Sequence, residues 1–432
     1  MWKPAAAAAA GTLAAVIAAE LVVAATVQKG FSLAAPVRAL ASKVLRALAD
    51  TPATGDDEDA GGDAPPDRST GVARGLEDLI GNTPLLRIGS LSDETGCEIL
   101  GKCEFLNPGG SVKDRVALQI VREALRSGQL APGGLVTEGT VGSTGVSLAT
   151  IAPALGVECH VCIPDDAAVE KARTLAALGA RLERLRPVSI SHPDHFVNVA
   201  RRRAAERGNA VFADQFENLA NLRAHERTGA EIWRQTGGRV DAFVSGAGTG
   251  GTLAGVSRDL KRRDPRVRCV LADPPGSGLY NKVVRGVLYT GVEAEGRRLR
   301  NPFDTVTEGV GLNRLTANFA AATLDGAVRV TDREAVEMSR YLMRNDGLFL
   351  GSSAAVNCAG AVKVARQLGP GHVVVTVLCD GGARHLSKFH CPDYLASLGL
   401  TPAEEGRSLG WVGAPDVDNR TAYGAESRAL PA

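Results

Sequence analysis

The sequence predicts an α/β fold built on parallel sheets in two subdomains, and three observations carry that prediction. Short Val/Ile/Ala-rich runs alternate with longer stretches whose apolar residues recur at helical spacing, the pattern of strands buried on both faces and joined by crossover helices. Three strand-to-helix junctions are glycine-rich: "NPGG" at 107–110, "GTVGSTG" at 139–145 and "GAGTGG" at 246–251. The length, 432 residues with 50 glycines, leaves room for two subdomains. A net charge of +1 with no long basic stripe gives no footprint for a nucleic acid. The eight cysteines are scattered, not framed as a disulfide scaffold, so a reducing compartment is expected.

From the N-terminus, residues 5–27 run with the single charge Glu20 and are long enough to span a bilayer. Lys3 precedes them, and Lys29, Arg38, Lys43 and Arg46 follow. A membrane anchor is expected in preference to a removed targeting segment, because a secretory signal has a shorter apolar region and a transit peptide more Arg and Ser. Cleavage of a targeting peptide is the alternative, and it would leave a soluble protein. Residues 36–50 read as a short basic amphipathic helix, so 1–50 forms the anchor with its basic flank. Residues 51–71 are acidic and rich in Gly, Pro and Ala, a composition that buries no core and reads as a disordered linker. The compact domain is expected over 72–400. Residues 401–432 lose periodicity and read as a mostly disordered tail.

Within the domain, "CEILGKCEF" reads as a strand that feeds "NPGG" and then the helical pattern "SVKDRVALQIVREAL". Lys113 therefore falls in the first turn of a helix, where the positive end of the dipole disfavours a cation and lowers its pKa. A neutral amine so placed can form a Schiff base. The alternative is a solvated lysine beside Asp114. The junction "VTEGTVGSTG" offers hydroxyls and N–H groups to a carboxylate at a helix start; the plainer reading is a capped turn with Ser143 or Thr144 as N-cap. The third junction fits G-x-G-x-x-G through Gly246, Gly248 and Gly251, with Asp273 closing the next strand, as a dinucleotide fingerprint asks. That reading explains neither Lys113 nor "GSTG". A lysine, a carboxylate site and a phosphate site together suit pyridoxal 5'-phosphate with an amino acid substrate.

The ordered segments "IGNTPLLRI" (80–88), "NPGGSVKDR" (107–115), "FADQFENLANLRAHERTGAEIW" (212–233), "SGAGTGGT" (245–252) and "DGLFLGSSAAVNCAGAV" (346–362) make Gly75 to Leu400 resemble the cysteine synthase and cystathionine β-synthase family. These are fold type II pyridoxal-phosphate enzymes. The resemblance implies the tryptophan synthase β-like architecture: two parallel-sheet subdomains, the smaller and mobile one over about 105–225, with the cofactor in the cleft between them. It implies that Lys113 carries the cofactor and later acts as the base. Gly248, Thr249, Gly250, Gly251 and Thr252 would hold the phosphate, and Thr140, Gly142, Ser143, Thr144 and Gln215 would meet the substrate carboxylate, with Ser143 also reaching the cofactor. Asn107 lies at the edge of the site with no assigned chemistry. A homodimer is implied as well.

Two departures stand out. The family's Thr-Ser-Gly-Asn-Thr-Gly is Thr140-Val141-Gly142-Ser143-Thr144-Gly145 here, a form shared with a branch of fungal cysteine synthase 2-like sequences that often carry an N-terminal hydrophobic segment associated with mitochondria. The mitochondrial outer membrane is the expected location. In "CDGGARHLS", alignment puts Gly381 where relatives place a serine against the pyridine nitrogen, and leaves Asp380 as a neighbour able to swing in. The implied reaction is loss of acetate from O-acetyl-L-serine to give an aminoacrylate, followed by sulfide addition to give L-cysteine. The alternatives are a serine or cysteine β-lyase on the same fold, or a non-catalytic, membrane-tethered protein that binds the cofactor. No metal is expected: in "CHVC" Cys159 and Cys162 sit three apart on a strand and face opposite ways, and Cys379, His385, His390 and Cys391 lack a short paired knuckle.

Overall fold

The computed structural model describes residues 71–140, 142–167, 169–290, 305–403 and 408–413, all of which fall in one compact unit, Pro65–Leu430. Two sheets organise it. The strands in chain order are β1 Leu85–Arg87, β2 Glu98–Cys103, β3 Leu135–Gly139, β4 Glu158–Pro164, β5 Arg181–Leu185, β6 Ala210–Phe212, β7 Ala242–Ser245, β8 Arg268–Asp273, β9 Gly326–Arg329 and β10 Val373–Leu378. The larger sheet runs β1-β2-β10-β7-β8-β9 and the smaller β5-β4-β3-β6. Every pairing is parallel except β1 with β2.

The near-continuous apolar strands reflect burial on both faces. Along β10, Val374 and Leu378 enter one core while Val373, Val375 and Val377 enter another. β7 alternates likewise, Ala242 and Val244 against Phe243. The first core is closed by the helices Asp332–Asn345 and Ser352–Leu368, the second chiefly by Ala220–Gln235 and Gly251–Arg263. The smaller sheet packs Val136, Val161 and Ile163 against the helices Lys113–Arg126 and Ser143–Ile151. Each glycine-rich junction thus lies at the carboxyl end of a parallel strand, where open α/β sheets place their ligands.

Three expectations change. Among the described residues no helix is long and apolar enough to cross a membrane, so the expectation of a transmembrane, membrane-tethered protein is corrected; residues 5–27, which prompted it, lie outside the described residues, as do 36–50 and 51–70. Within the tail expected to be mostly disordered, residues 408–413 are docked: Leu409 and Val412 are buried. Arg366 donates to their carbonyls at 2.8 and 2.7 Å, and Trp411 meets Tyr341 edge-on. The helix after "VGSTG" has no side-chain cap: Gly142 is its N-cap and Ser143 its first residue.

Candidate active site

The three glycine-rich junctions converge on one cavity of about 250 Å³. Its wall takes Ser111 to Lys113 from the first, Thr140 and Gly142 to Thr144 from the second, and Gly246 to Gly250 with Thr252 from the third; Gln215 closes one side.

Lys113 is the first residue of its helix, as the sequence predicts. It lines the cavity, and the protein packed round its ammonium lowers its pKa, against which Cys379, Asp380 and Glu104 pull upward. The turn before it is tied on several sides. Asn107 accepts from Gly81 N at 2.9 Å and donates to Glu104 Oε2 at 2.9 Å and Ser111 O at 3.2 Å. Asp114 accepts from Gly109 N and from Ser147 Oγ, both at 2.5 Å; burial raises its carboxyl to about 6 despite those bonds. Beneath the turn lies a buried ionic network that the sequence reading did not single out. Arg115 bonds Glu104 at 2.8 Å and Glu231 at 2.6 Å, and Lys102 pairs with Glu231 at 2.6 Å. Charged residues on otherwise apolar faces, in "VKDRVAL" and "GAEIW", were the available signal.

At the second junction Thr144 donates to Gln215 Oε1 at 2.5 Å, so its hydroxyl orients a side chain instead of capping the helix. Gln215 is itself fixed through its backbone N–H to Glu138 Oε2 at 3.0 Å. Glu138 is fully buried and burial raises its carboxyl to about 8. At the third junction the helix starts on Gly250, again with no side-chain cap. Gly250 has φ 87°, and a Cβ there would stand 2.6 Å from Phe319; only glycine accepts both conditions. A Cβ on Gly248 would meet Gly309 O at 2.1 Å. Asn221 donates to Thr249 Oγ1 at 2.9 Å, and Thr252 Oγ1 shares a hydrogen bond with His225 Nε2 at 3.1 Å. Burial, with Arg115 and Lys113 nearby, drives the His225 pKa well down, so its ring is neutral. Two uncapped helix starts therefore open on the cavity that holds Lys113, each offering free N–H groups and the positive end of a dipole to an anion.

Two expected site residues are not on the cavity wall. Gly251 lies behind it, against Asn221. Gly381 bridges to Leu350, while Cys379 and Asp380 are the residues of this segment that reach the cavity. The backbone stays extended through Gly381 and runs along the 349–351 segment, where Gly351 N donates to Asp380 O at 3.1 Å and Gly382 N to Phe349 O at 3.0 Å. Asp380 accepts from His385 Nε2 at 3.0 Å through Oδ2, and its Oδ1 has no partner. Cys379 is pushed up to about 11 by burial.

Other candidates resolve differently. Asp273 is buried off the cavity and accepts from Tyr280 N at 2.7 Å, so the acid of the dinucleotide fingerprint holds a helix start of its own chain. Cys159 and Cys162 do fall in separate cores. His160, Cys162 and Glu183 bring ligand atoms within 4.8 Å of one another, but Arg203 takes both Glu183 oxygens at 3.0 and 2.9 Å. His385 turns to Asp380 and His390 to Leu350 O.

Comparison with known proteins agrees with this geometry. Residues 76–380 match the family of pyridoxal-phosphate dependent enzymes. A Schizosaccharomyces pombe protein named cysteine synthase 2 is 53% identical, the alignment covering 77% of this chain and 87% of that one. Its Neurospora crassa namesake is 55% identical over 76% and 74% of the two chains. A Saccharomyces cerevisiae cysteine synthase whose name includes "mitochondrial" is 50% identical over 73% and 83%. Among solved structures, the O-acetylserine-dependent cystathionine β-synthase of Helicobacter pylori superposes with a TM-score of 0.64 at 28% identity, covering 74% of this chain and 99% of that one. The chain belongs to the pyridoxal-phosphate-dependent enzyme family, in the fold type II architecture, and its cofactor is pyridoxal phosphate.

The residues present fit that cofactor. The cavity offers a lysine with a depressed pKa, an uncapped helix start reached through Gly248 and Gly250, where Gly309 and Phe319 leave no room for a side chain, and the Thr252 hydroxyl.

Proposed function

We propose that this chain is a cysteine synthase that converts O-acetyl-L-serine and sulfide to L-cysteine and acetate. The observation that carries the reading is the joining of Lys113 and two uncapped helix starts in one cavity. The relatives named cysteine synthase 2 at 53% and 55% identity support it. Bound pyridoxal phosphate supplies an aldehyde for the substrate amine and a conjugated ring that takes up the electron pair left at Cα. Gly248, Thr249, Gly250 and Thr252 would hold the phosphate, with Gly251 setting the close approach of the helix behind them. Thr140, Gly142, Ser143, Thr144 and Gln215 hold the substrate carboxylate. A carboxylate held there would keep the substrate in the cavity that Lys113 lines, and positioning of that kind supplies much of the rate. Lys113, whose pKa burial lowers, takes the α-proton as acetate departs from Cβ; sulfide then adds at Cβ and Lys113 returns the proton to Cα. From 379–381, Cys379 and Asp380 line the cavity.

The catalytic domain is 72–400, with the carboxylate site on a smaller lobe over about 105–225 and the phosphate site on the remainder. The Saccharomyces cerevisiae relative supports a mitochondrial location. A homodimer follows from the family resemblance, and sedimentation of the purified chain tests it.

The test is product analysis with visible absorbance. Acetate and cysteine should appear in equal amounts from O-acetylserine and sulfide. Lys113→Ala should abolish turnover and change the absorbance of bound cofactor. Pyruvate and sulfide released from cysteine, with no synthesis, would replace this reading with a β-lyase.

A further inference from the structure

A chain of charges lines the same cavity and has no part in the chemistry above. Lys171, in the helix Val169–Ala177, pairs with Glu308. Glu308 lies 3.3 Å from His385 Nδ1 and 3.6 Å from Lys388 Nζ, and His385 Nε2 meets Asp380 Oδ2 at 3.0 Å. Lys171, Glu308, Asp380 and His385 all reach the cavity wall. The chain joins the two sheets' territories: Leu175, on the Lys171 helix, is buried in the smaller sheet's core, and Val306, beside Glu308, in a core of the larger.

Lys171 has a second neighbour. A Cβ placed on Gly142 would stand 3.7 Å from Lys171 Nζ, with no other atom within 4 Å. Gly142 opens the uncapped helix start that receives the substrate carboxylate in the proposed function. That site otherwise consists of N–H groups, hydroxyls and an amide, all neutral. A full positive charge therefore stands at its edge.

The balance of the chain leaves that charge available. Among the described residues Glu308 has three cations at ion-pair distance, whereas Lys171 has one carboxylate. Burial lowers the His385 pKa, but Asp380 and Glu308 outweigh it and raise it to about 9, so the ring is cationic at neutral pH. Three cations against two carboxylates leave one positive charge beside the site of one incoming anion. If Lys171 turns from Glu308 toward that anion, Glu308 keeps His385 and Lys388.

We infer that Lys171 is a substrate-binding residue, whose ammonium rests on Glu308 in the free protein and is shared with the α-carboxylate of the amino acid once it enters. This rests on the proposed function only for the location of that carboxylate.

A purely structural clasp and a shared charge predict different signs. Sharing predicts that Lys171→Met raises KM for O-acetylserine about tenfold, the loss of one charge-assisted contact. Lys171→Arg should restore most of it. Glu308→Gln removes the competitor and should lower KM. The preference for O-acetylserine over its carboxamide should shrink in Lys171→Met and persist in Glu308→Gln. Dissociation constants for L-serine and L-cysteine, read from the absorbance of bound cofactor, should follow the same order. They need no turnover and stay readable if O-acetylserine is not the substrate. Wild-type protein that makes no cysteine would overturn the proposed function alone. Raised KM and weaker amino acid binding in both Lys171→Met and Glu308→Gln would overturn the inference, as would no change in Lys171→Met.

Discussion

Two ionic networks flank the cavity, and they are built to opposite specifications. Lys102, Glu104, Arg115 and Glu231 lie beneath Lys113 at 0%, 0%, 6% and 5% exposure, and none of their polar atoms lacks a partner. Lys171, Glu308, His385, Asp380 and Lys388 run along the cavity, with Glu308 and Lys388 side chains 24% and 36% exposed. There Asp380 Oδ1 has no partner, and His385 Nδ1, though at ion-pair distance from Glu308, makes no hydrogen bond. Saturated buried charges make a rigid support, because losing any partner strands another charge away from water. Charges with spare valence at a wetter site can exchange partners. The first network holds the turn that presents Lys113; the second is left adjustable where a substrate enters.

The largest break in this comparison should come from Arg115→Met. It strands Glu104 and leaves Glu231 with Lys102 alone, and urea unfolding should show a loss of about 3–5 kcal/mol. A loss under about 1 kcal/mol would mean the deeper network is as replaceable as a surface one. A smaller effect is expected at His385. Its folded pKa, about 9, lies above the ordinary 6.5. Its stabilising contribution is thus complete below pH 6.5 and is lost as pH rises through about 9. Unfolding free energy measured across that window should fall more steeply in wild type than in His385→Gln. Equal slopes would show that the Asp380 and Glu308 contacts do not hold the proton. The smallest effect belongs to Lys388→Ala, a half-exposed partner of Glu308 expected to change stability by no more than about 1 kcal/mol and to matter less as salt rises.

Where sequence reading succeeded and failed follows the same division between local and distant. Lys113 was legible because strand, "NPGG" and helix are contiguous, and contiguity fixes which side chain opens a helix. The glycine-rich turn 246–251 was legible as a strand-to-helix junction for the same reason. Gly381 could not be told from its neighbours in the motif, because alignment counts positions, whereas the cavity wall takes Cys379 and Asp380 and leaves Gly381 bridged to Leu350. The roles of Thr144 could not be separated in the sequence, since a capping hydroxyl and one that orients Gln215 look alike; Gln215 is 71 positions away. Lys171 and Glu308 are 137 positions apart, and no local spacing announces such a pair. The docking of 408–413 escaped notice because a strap needs only Leu409, Trp411 and Val412 at the right places, not a periodic pattern.

The cysteines carry a last consequence. On the proposed reaction, this protein passes sulfide to an electrophilic carbon within a wall that includes its own thiol, Cys379. All eight cysteines are free, and six are buried. Burial raises the thiols of Cys103, Cys159, Cys162, Cys269, Cys358 and Cys379 above their ordinary range. The thiolate, not the thiol, is the nucleophile, so each of these sulfurs is protonated and unreactive at neutral pH. Sulfide, which ionises in water before it arrives, meets no resident competitor. Selectivity between two sulfur nucleophiles is thus set by where each holds its proton, and self-alkylation is suppressed without removing Cys379 from the site.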